Sequence, residues 1–171
     1  MRVYIPATLP LLQRLVADGS MFPLSGTAFA VTPTLREAYA EGDDDELAEV
    51  ALREAALGSL RLLAIDEDDA DGAEPGLPLR RAVLVADVES AKARPDLDDA
   101  VVRVSDAVTL DDLVAVYVDT AAAESAVRAA MGVIDAADLG DEDAELMVGD
   151  AQDHDLAWYA TQELPFLLEL L

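Results

Sequence analysis

The hydrophobic pattern of the first thirty-six residues predicts a strand, a helix, a second strand and the start of another helix. Residues 3–5 form a short β-type run, and Thr8 then caps a helix that ends at Gly19. A second β-type run follows at residues 27–31, and residues 32–34 open the next helix. We expect the two strands to be parallel neighbours joined by a right-handed crossover. Both helix N-termini would then lie beyond the sheet edge where open α/β sheets usually bind ligands.

The middle of the chain departs from a strict alternation of strands and helices. A long helix is predicted from the acidic residues 43–45 to about residue 65, and an acidic surface loop follows at residues 66–78. A consecutive apolar run then predicts a strand at residues 81–88 that is covered on both faces. Two shorter strands are predicted after it, at residues 101–104 and 114–118.

The last third of the chain is predicted to be helical. One helix is expected at residues 121–134, and another from about Asp153 to Pro165, which interrupts helices. The complete pattern predicts one globular domain over residues 1–171. Its class is α+β, with a mixed sheet of about five strands that starts with a βαβ unit and has helices packed on it.

Composition describes an acidic globular protein. Hydrophobic residues make up 53% of the chain, which argues against disorder despite a net charge of −25. The acids collect in runs and leave residues 1–40 with three arginines against two acids, a net charge of +1. Such a surface repels nucleic acid backbones and anionic membranes, so neither is expected as a partner. Proline, glycine and charged residues interrupt the apolar stretches, which predicts a soluble, cytoplasmic protein.

Recognisable metal, cofactor and catalytic motifs are missing from the sequence. The chain has no cysteine and one histidine, which excludes thiolate and multi-histidine metal sites. Two acidic stretches approach calcium-loop spacing and fail it. A calcium loop that starts at Glu67 requires a glutamate at its twelfth position, where Pro78 stands. In the second stretch, around residues 141–145, Leu146 stands where a glycine is required. We therefore predict no metal, no cofactor and no catalytic residue.

The densest cluster of functional side chains lies near the C-terminus. On the predicted helix, His154, Trp158 and Gln162 recur at every fourth position, with Glu163 beside them. This face is suited to line a groove for a nucleotide or another small polar molecule. Alternatively, Trp158 anchors the helix to the sheet, and we expect this second outcome, with the indole ring buried.

The two predicted helix starts form a second candidate site. Thr8, Thr32, Thr34 and Arg36 could bind an anion through helix N-terminal amides and the guanidinium. The alternative is ordinary helix capping by the threonine side chains, and this is the interpretation we favour.

Two function classes stay open, and whether the chain is an enzyme is undecided. The first is a non-catalytic binding or regulatory protein that contacts a protein partner or a small polar ligand. The second is a small-molecule enzyme whose site joins His154, Gln162 and Glu163 to the strand ends near Thr8 and Thr32. The missing catalytic motifs favour the first class. The apolar tail at residues 164–171 must dock on its own domain or on a partner, and we expect a homodimer.

Three short motifs resemble those of an uncharacterised family of small actinobacterial proteins. They are MRVYIPAT at residues 1–8, AFAVTP at residues 28–33 and WYATQE at residues 158–163. The likeness spans most of the chain and is weakest in the acidic middle. It implies an actinobacterial host and a cytoplasmic location, and it implies no activity for any residue.

The crowded carboxylates predict that salt stabilises this protein. Like charges repel across the folded surface, and about 0.1 M salt already shortens their reach to 10 Å. The melting temperature should therefore rise between low salt and a few hundred millimolar sodium chloride. A flat or falling curve in scanning calorimetry would mean that the acids are paired individually or too dispersed to interact.

Overall fold

The chain folds around a seven-stranded antiparallel sheet in a computed structural model that describes residues 1–69 and 77–171. Its strands and α-helices are β1 (Arg2–Ala7), α1 (Leu9–Asp18), β2 (Ser20–Met21), β3 (Thr27–Phe29), α2 (Pro33–Ala38), α3 (Asp44–Asp69), β4 (Ala82–Asp87), β5 (Ala91–Ala93), β6 (Val101–Val104), β7 (Val108–Thr109), β8 (Leu113–Val118), α4 (Glu124–Met131), α5 (Ile134–Asp138), α6 (Glu142–Gln152), β9 (Ala157–Tyr159) and α7 (Leu164–Glu169). The strand order is β5-β6-β3-β1-β4-β8-β9, and β2 pairs with β7 in a separate ribbon.

The α+β class is confirmed, whereas the details of the predicted sheet are wrong. The sheet has seven strands instead of about five, and each pairing within the described residues is antiparallel. No parallel βαβ unit opens the chain, because β1 and β3 pair antiparallel with Tyr4 opposite Phe29. After α1, the short strand β2 and a 3-10 turn at residues 24–26 lead the chain into β3, which runs opposite to β1.

Each face of the sheet is covered by its own helices. On β4, Leu84 points to the side where α1 and α7 pack, together with Ile5. Val83 points to the opposite side, where it packs with Leu47 of α3. Residues 82–86 are buried, so the prediction of a strand covered on both faces is confirmed.

The long helix α3 begins as predicted and ends later than predicted. The Asp43 carboxylate accepts a hydrogen bond from the Glu46 amide at 2.9 Å, and acids fill the first turn, where the helix dipole favours them. The helix continues to Asp69, so the predicted acidic loop at residues 66–78 starts too early. The core of that loop, residues 70–76, and half of the failed calcium-loop motif lie outside the described residues.

The C-terminal part of the chain departs furthest from its prediction. The expected helix at residues 121–134 is divided into α4 and α5, and α6 was not predicted. The helix expected from Asp153 to Pro165 is wrong. This segment contains β9 and a 3-10 turn at residues 161–163, because β9 pairs with β8. Strand pairing with a distant segment outweighs the local helical spacing.

Helix α3 approaches the sheet closely at two consecutive residues. A Cβ atom added at Gly58 would lie 2.7 Å from Cγ of Pro6, which requires a glycine at this position. The hydroxyl of Ser59 donates to the Ala7 carbonyl at 2.7 Å and accepts from the Ala82 amide at 3.0 Å. Ser59 is fully buried. The helix is therefore joined by hydrogen bonds to both β1 and β4, at the end of the sheet where β1 ends and β4 begins.

Substituting the two helical glycines at positions 58 and 149 should have opposite effects on stability. Gly58→Ala should lower the free energy of unfolding by about 1–3 kcal/mol, because the Pro6 ring belongs to a strand and cannot move aside. Gly149→Ala in α6 should raise it by about 0.5–1 kcal/mol, since an added Cβ there meets nothing within 4 Å. Urea denaturation measures both changes. A stabilised Gly58→Ala variant would contradict the close approach of α3 to Pro6.

Candidate functional site

A buried ion pair between Arg81 and Asp119 lies at the end of the sheet where β4 begins and β8 ends. Arg81 precedes β4 and Asp119 follows β8, and the pairing of Ala82 with Val118 brings them side by side. Their side chains are 1% and 0% exposed. Nε of Arg81 donates to Oδ2 of Asp119 at 2.9 Å, and Nη2 donates to Oδ1 at 2.8 Å. This two-point geometry is the strongest that a guanidinium makes with a carboxylate.

The same guanidinium holds the segment that leads into β9. Nη1 of Arg81 donates to Oε1 of Gln152 at 2.7 Å, and Nη2 donates to the His154 carbonyl at 2.8 Å. The amide of Gln152 in turn donates to the Arg53 carbonyl at 3.1 Å. Arg81 therefore connects the sheet to the end of α6 and to the loop before β9. Through Gln152 it also reaches α3.

An open cleft of about 170 Å³ lies beside this ion pair. Its lining is mixed, with both charge signs and an apolar part, and it includes His154. Four N–H groups of Arg81 are already donated to protein oxygens. The charge of Arg81 is thus engaged by Asp119, and the cleft offers a ligand mainly Arg53, Glu49 and Asp155 at its sides.

The predicted site residues near the C-terminus do not share a face. His154 lies in a bend before β9, Trp158 lies in the middle of β9, and Gln162 and Glu163 lie in the 3-10 turn after it. His154 and Gln162 are therefore held at opposite ends of an extended segment. The expectation that Trp158 is buried is wrong, because its side chain is 58% exposed.

The predicted site at the two helix starts is also divided. Thr8 follows the end of β1, and Thr32 follows the end of β3. Because these neighbouring strands are antiparallel, the two threonines lie at opposite ends of the strands.

Each threonine is buried and caps the helix that follows it. Thr8 accepts a hydrogen bond from the Leu11 amide at 3.4 Å, and Thr32 accepts one from the Leu35 amide at 3.1 Å. Thr34 lies half-buried in the first turn of α2, and Arg36 pairs with Asp44 at 2.6 Å, away from the Thr32 hydroxyl. This geometry is that of ordinary capping.

The two outer strands of the sheet differ in what they present to solvent. Strand β5 forms one edge and carries Lys92 at its centre. Strand β9 forms the other edge and carries Trp158 at its centre. Exposed acids flank β9 on both sides, at Asp153 and Asp155 before it and at Glu163 after it. The aromatic, β-prone sequence at residues 157–159 is the signal that could have revealed this edge strand.

One aromatic residue of the next strand lies beside the indole. Tyr117 of β8 lies directly opposite Trp158 in the register of the two strands. Burial raises the pKa of the Tyr4 phenol, and the nearby Tyr117 adds to that increase. Tyr4 therefore stays neutral well beyond physiological pH, and it adds no charge to this face of the sheet.

The fold and its surfaces define an α+β protein with an antiparallel sheet and an aromatic edge strand. Within residues 1–69 and 77–171, no helix has the length and apolar character needed to cross a membrane. The chain belongs to the DUF6912 family, a family of unknown function, whose model matches residues 1–168. The resemblance to an uncharacterised family is thus confirmed, and the actinobacterial host stays a prediction. No curated protein and no solved structure matches the chain significantly.

Removing one member of the buried ion pair should be strongly destabilising. Asp119→Ala should lower the free energy of unfolding by about 3–5 kcal/mol, because it leaves the Arg81 charge buried and unpaired. The control is Asp87→Ala, which breaks an exposed pair with Arg2 and should change stability by less than about 1 kcal/mol. Chemical denaturation measures both. The double variant Arg81→Met with Asp119→Leu should lose less stability than Asp119→Ala, because no buried charge is left unpaired. Equal losses of unfolding free energy in Asp119→Ala, Asp87→Ala and the double variant would contradict this account.

Proposed function

We propose that this protein is a cytoplasmic, non-catalytic binding protein that contacts a protein partner through the edge strand β9 around Trp158. One observation carries the proposal: the only tryptophan of the chain lies at the centre of an edge strand with 58% of its side chain exposed. Tryptophan is enriched in protein interfaces and is among the residue types that contribute most to binding energy there.

The contrast with the other edge of the sheet supports the proposal. Lys92, the only lysine of the chain, lies at the centre of β5. A lysine on an edge strand discourages pairing with a strand that offers it no compensating acid or aromatic ring, because its charge would have to be desolvated. Strand β9 has an indole at the equivalent central position. One edge of the sheet is thus protected against pairing, and the other is open to it.

The alternative of a small-molecule enzyme has less support. Its residues His154, Gln162 and Glu163 are separated by β9, so they do not form one constellation. The cleft beside His154 is compatible with a small polar ligand, but its buried cation Arg81 already donates four hydrogen bonds to protein oxygens. A protein partner therefore fits the exposed surfaces better than a small molecule does.

The experiment compares partners of the wild type with those of two variants that each remove one exposed aromatic ring. Trp158→Ser alters β9, and Phe22→Ser is the matched control, since the Phe22 side chain is 68% exposed in the loop before β3. Proteins from the source organism are captured on the immobilised chain and quantified by mass spectrometry. We expect a partner that the wild type and Phe22→Ser retain in near-stoichiometric amount and that Trp158→Ser loses.

Two further measurements make the result specific. Trp158→Ser should leave the melting temperature nearly unchanged, because the ring is largely exposed, so lost binding cannot come from unfolding. Hydrogen exchange on the recovered complex should show slower exchange at residues 157–159. If every captured protein is retained by Trp158→Ser, the proposed role of β9 is wrong. Light scattering that shows a dimer, and a monomer for Trp158→Ser, would identify the partner as a second copy of the chain.

A further inference from the structure

We infer that the partner segment is an extended, cationic strand that joins the sheet beside β9 as its eighth strand. This inference rests on the proposed function and adds to it the conformation and the charge of the segment. Three features carry it: the free side of β9, the charge around β9 and the exposed indole.

The free side of β9 determines the conformation of the partner segment. Residues 157–159 pair with residues 116–118 of β8 on one side, and β9 is the last strand of the sheet. An edge strand presents a row of main-chain N–H and C=O groups that an extended peptide satisfies by adding a strand. A helix cannot make these bonds, because its own main-chain groups are already paired within it.

The charge around β9 determines the charge of the partner segment. Residues 129–171 contain eleven Asp and Glu residues and neither lysine nor arginine. Three of these acids are exposed close to β9, namely Asp153, Asp155 and Glu163. They lie before and after the strand, so a segment alongside β9 passes carboxylates at both of its ends. At physiological salt only charges within about 8 Å act strongly, which gives these flanking acids the largest effect.

The exposed indole favours a cation at the centre of the segment as well. Side chains directly opposite each other on neighbouring antiparallel strands lie within contact distance. An arginine or lysine opposite Trp158 would therefore lie over or beside the indole face, which attracts cations. An aspartate or glutamate there would be repelled by the ring face and by the flanking acids. Extended conformation and positive charge thus describe one partner chemistry.

Strand β5 of a second copy shares part of this chemistry, because it carries Lys92 at its centre. Arg94 directly follows the strand, but its guanidinium already pairs with Asp96. Joining β5 of one copy to β9 of the next would produce an open chain of molecules, since the two edges differ. With a net charge of −25 on each copy, mutual repulsion opposes such growth. The observations therefore favour a different protein as the source of the cationic strand.

The experiment uses Trp158 itself as the reporter, because it is the only tryptophan in the chain. The probes are three tryptophan-free peptides of nine residues. The first alternates lysine with valine. The second replaces each lysine with glutamate. The third keeps the lysines and carries N-methyl groups on alternate main-chain nitrogens, which preserves charge and blocks strand pairing. Each is titrated into the full chain while the emission of Trp158 is recorded.

We expect a saturable blue shift of the emission with the lysine peptide, and at least tenfold weaker binding of the N-methylated and glutamate peptides. Protein variants test the flanking acids at constant fold. Asp155→Asn with Glu163→Gln should weaken binding of the lysine peptide several-fold and reduce its dependence on salt. The control variant Asp143→Asn with Glu145→Gln removes the same charge from exposed positions on α6 and should bind as the wild type does.

Each outcome decides between the inference and the function on which it rests. Equal binding of the lysine peptide and its N-methylated form would overturn strand addition and leave only general charge attraction. Tighter binding of the glutamate peptide at Trp158 would overturn the cationic partner, while β9 would stand as the docking strand. If no peptide alters the emission and Trp158→Ser loses no captured partner, both proposals fail. Self-association that Lys92→Glu abolishes would identify the cationic strand as β5 of a second copy and uphold strand addition.

Discussion

The Arg81–Asp119 ion pair is the interaction on which the position of the C-terminal segment depends. Both side chains are buried, so neither charge has water to replace a missing partner. The guanidinium also donates to Gln152 and to the His154 carbonyl, which places the end of α6 and the loop before β9. Strand β9 then pairs with β8 directly beside this pair. A buried charge with four hydrogen bonds thus determines where the exposed Trp158 lies.

Helix α3 provides the second constraint, at the same end of the sheet. Gly58 allows the helix to contact Pro6, and the buried hydroxyl of Ser59 connects the helix to both β1 and β4. The first part of α3 packs on the sheet, and its later part packs against α4 and α6. The cleft beside His154 arises where these two packing surfaces meet the loop before β9. The polar groups that line the cleft include Arg81 and Gln152, which are hydrogen-bonded to each other.

The exposed acids and the two outer strands of the sheet are the surface features on which the proposed binding function rests. The acids are spread over exposed loops and helix starts, where several of them cap helices, as Asp43 and Asp141 do. Within the part of the chain that the structure describes, no cluster of three or more metal-ligating side chains forms. The only lysine and the only tryptophan of the chain, Lys92 and Trp158, lie on the two outer strands of the sheet. In the proposed function, these two positions control which chains can pair with the sheet.

The sequence by itself determined the features that depend on neighbouring residues. Threonine and aspartate caps, the doubly covered strand β4 and the apolar face of α4 follow from residue spacing, because a helix or a strand face is set by side chains a few positions apart. Only the tertiary structure decided the antiparallel pairing of β1 with β3, the conversion of a predicted helix into β9 and the meeting of Arg81 with Asp119. The two members of this ion pair are 38 residues apart. Local spacing carries no record of such distant partners, since strand pairing and buried charge pairing are fixed only when the whole sheet assembles.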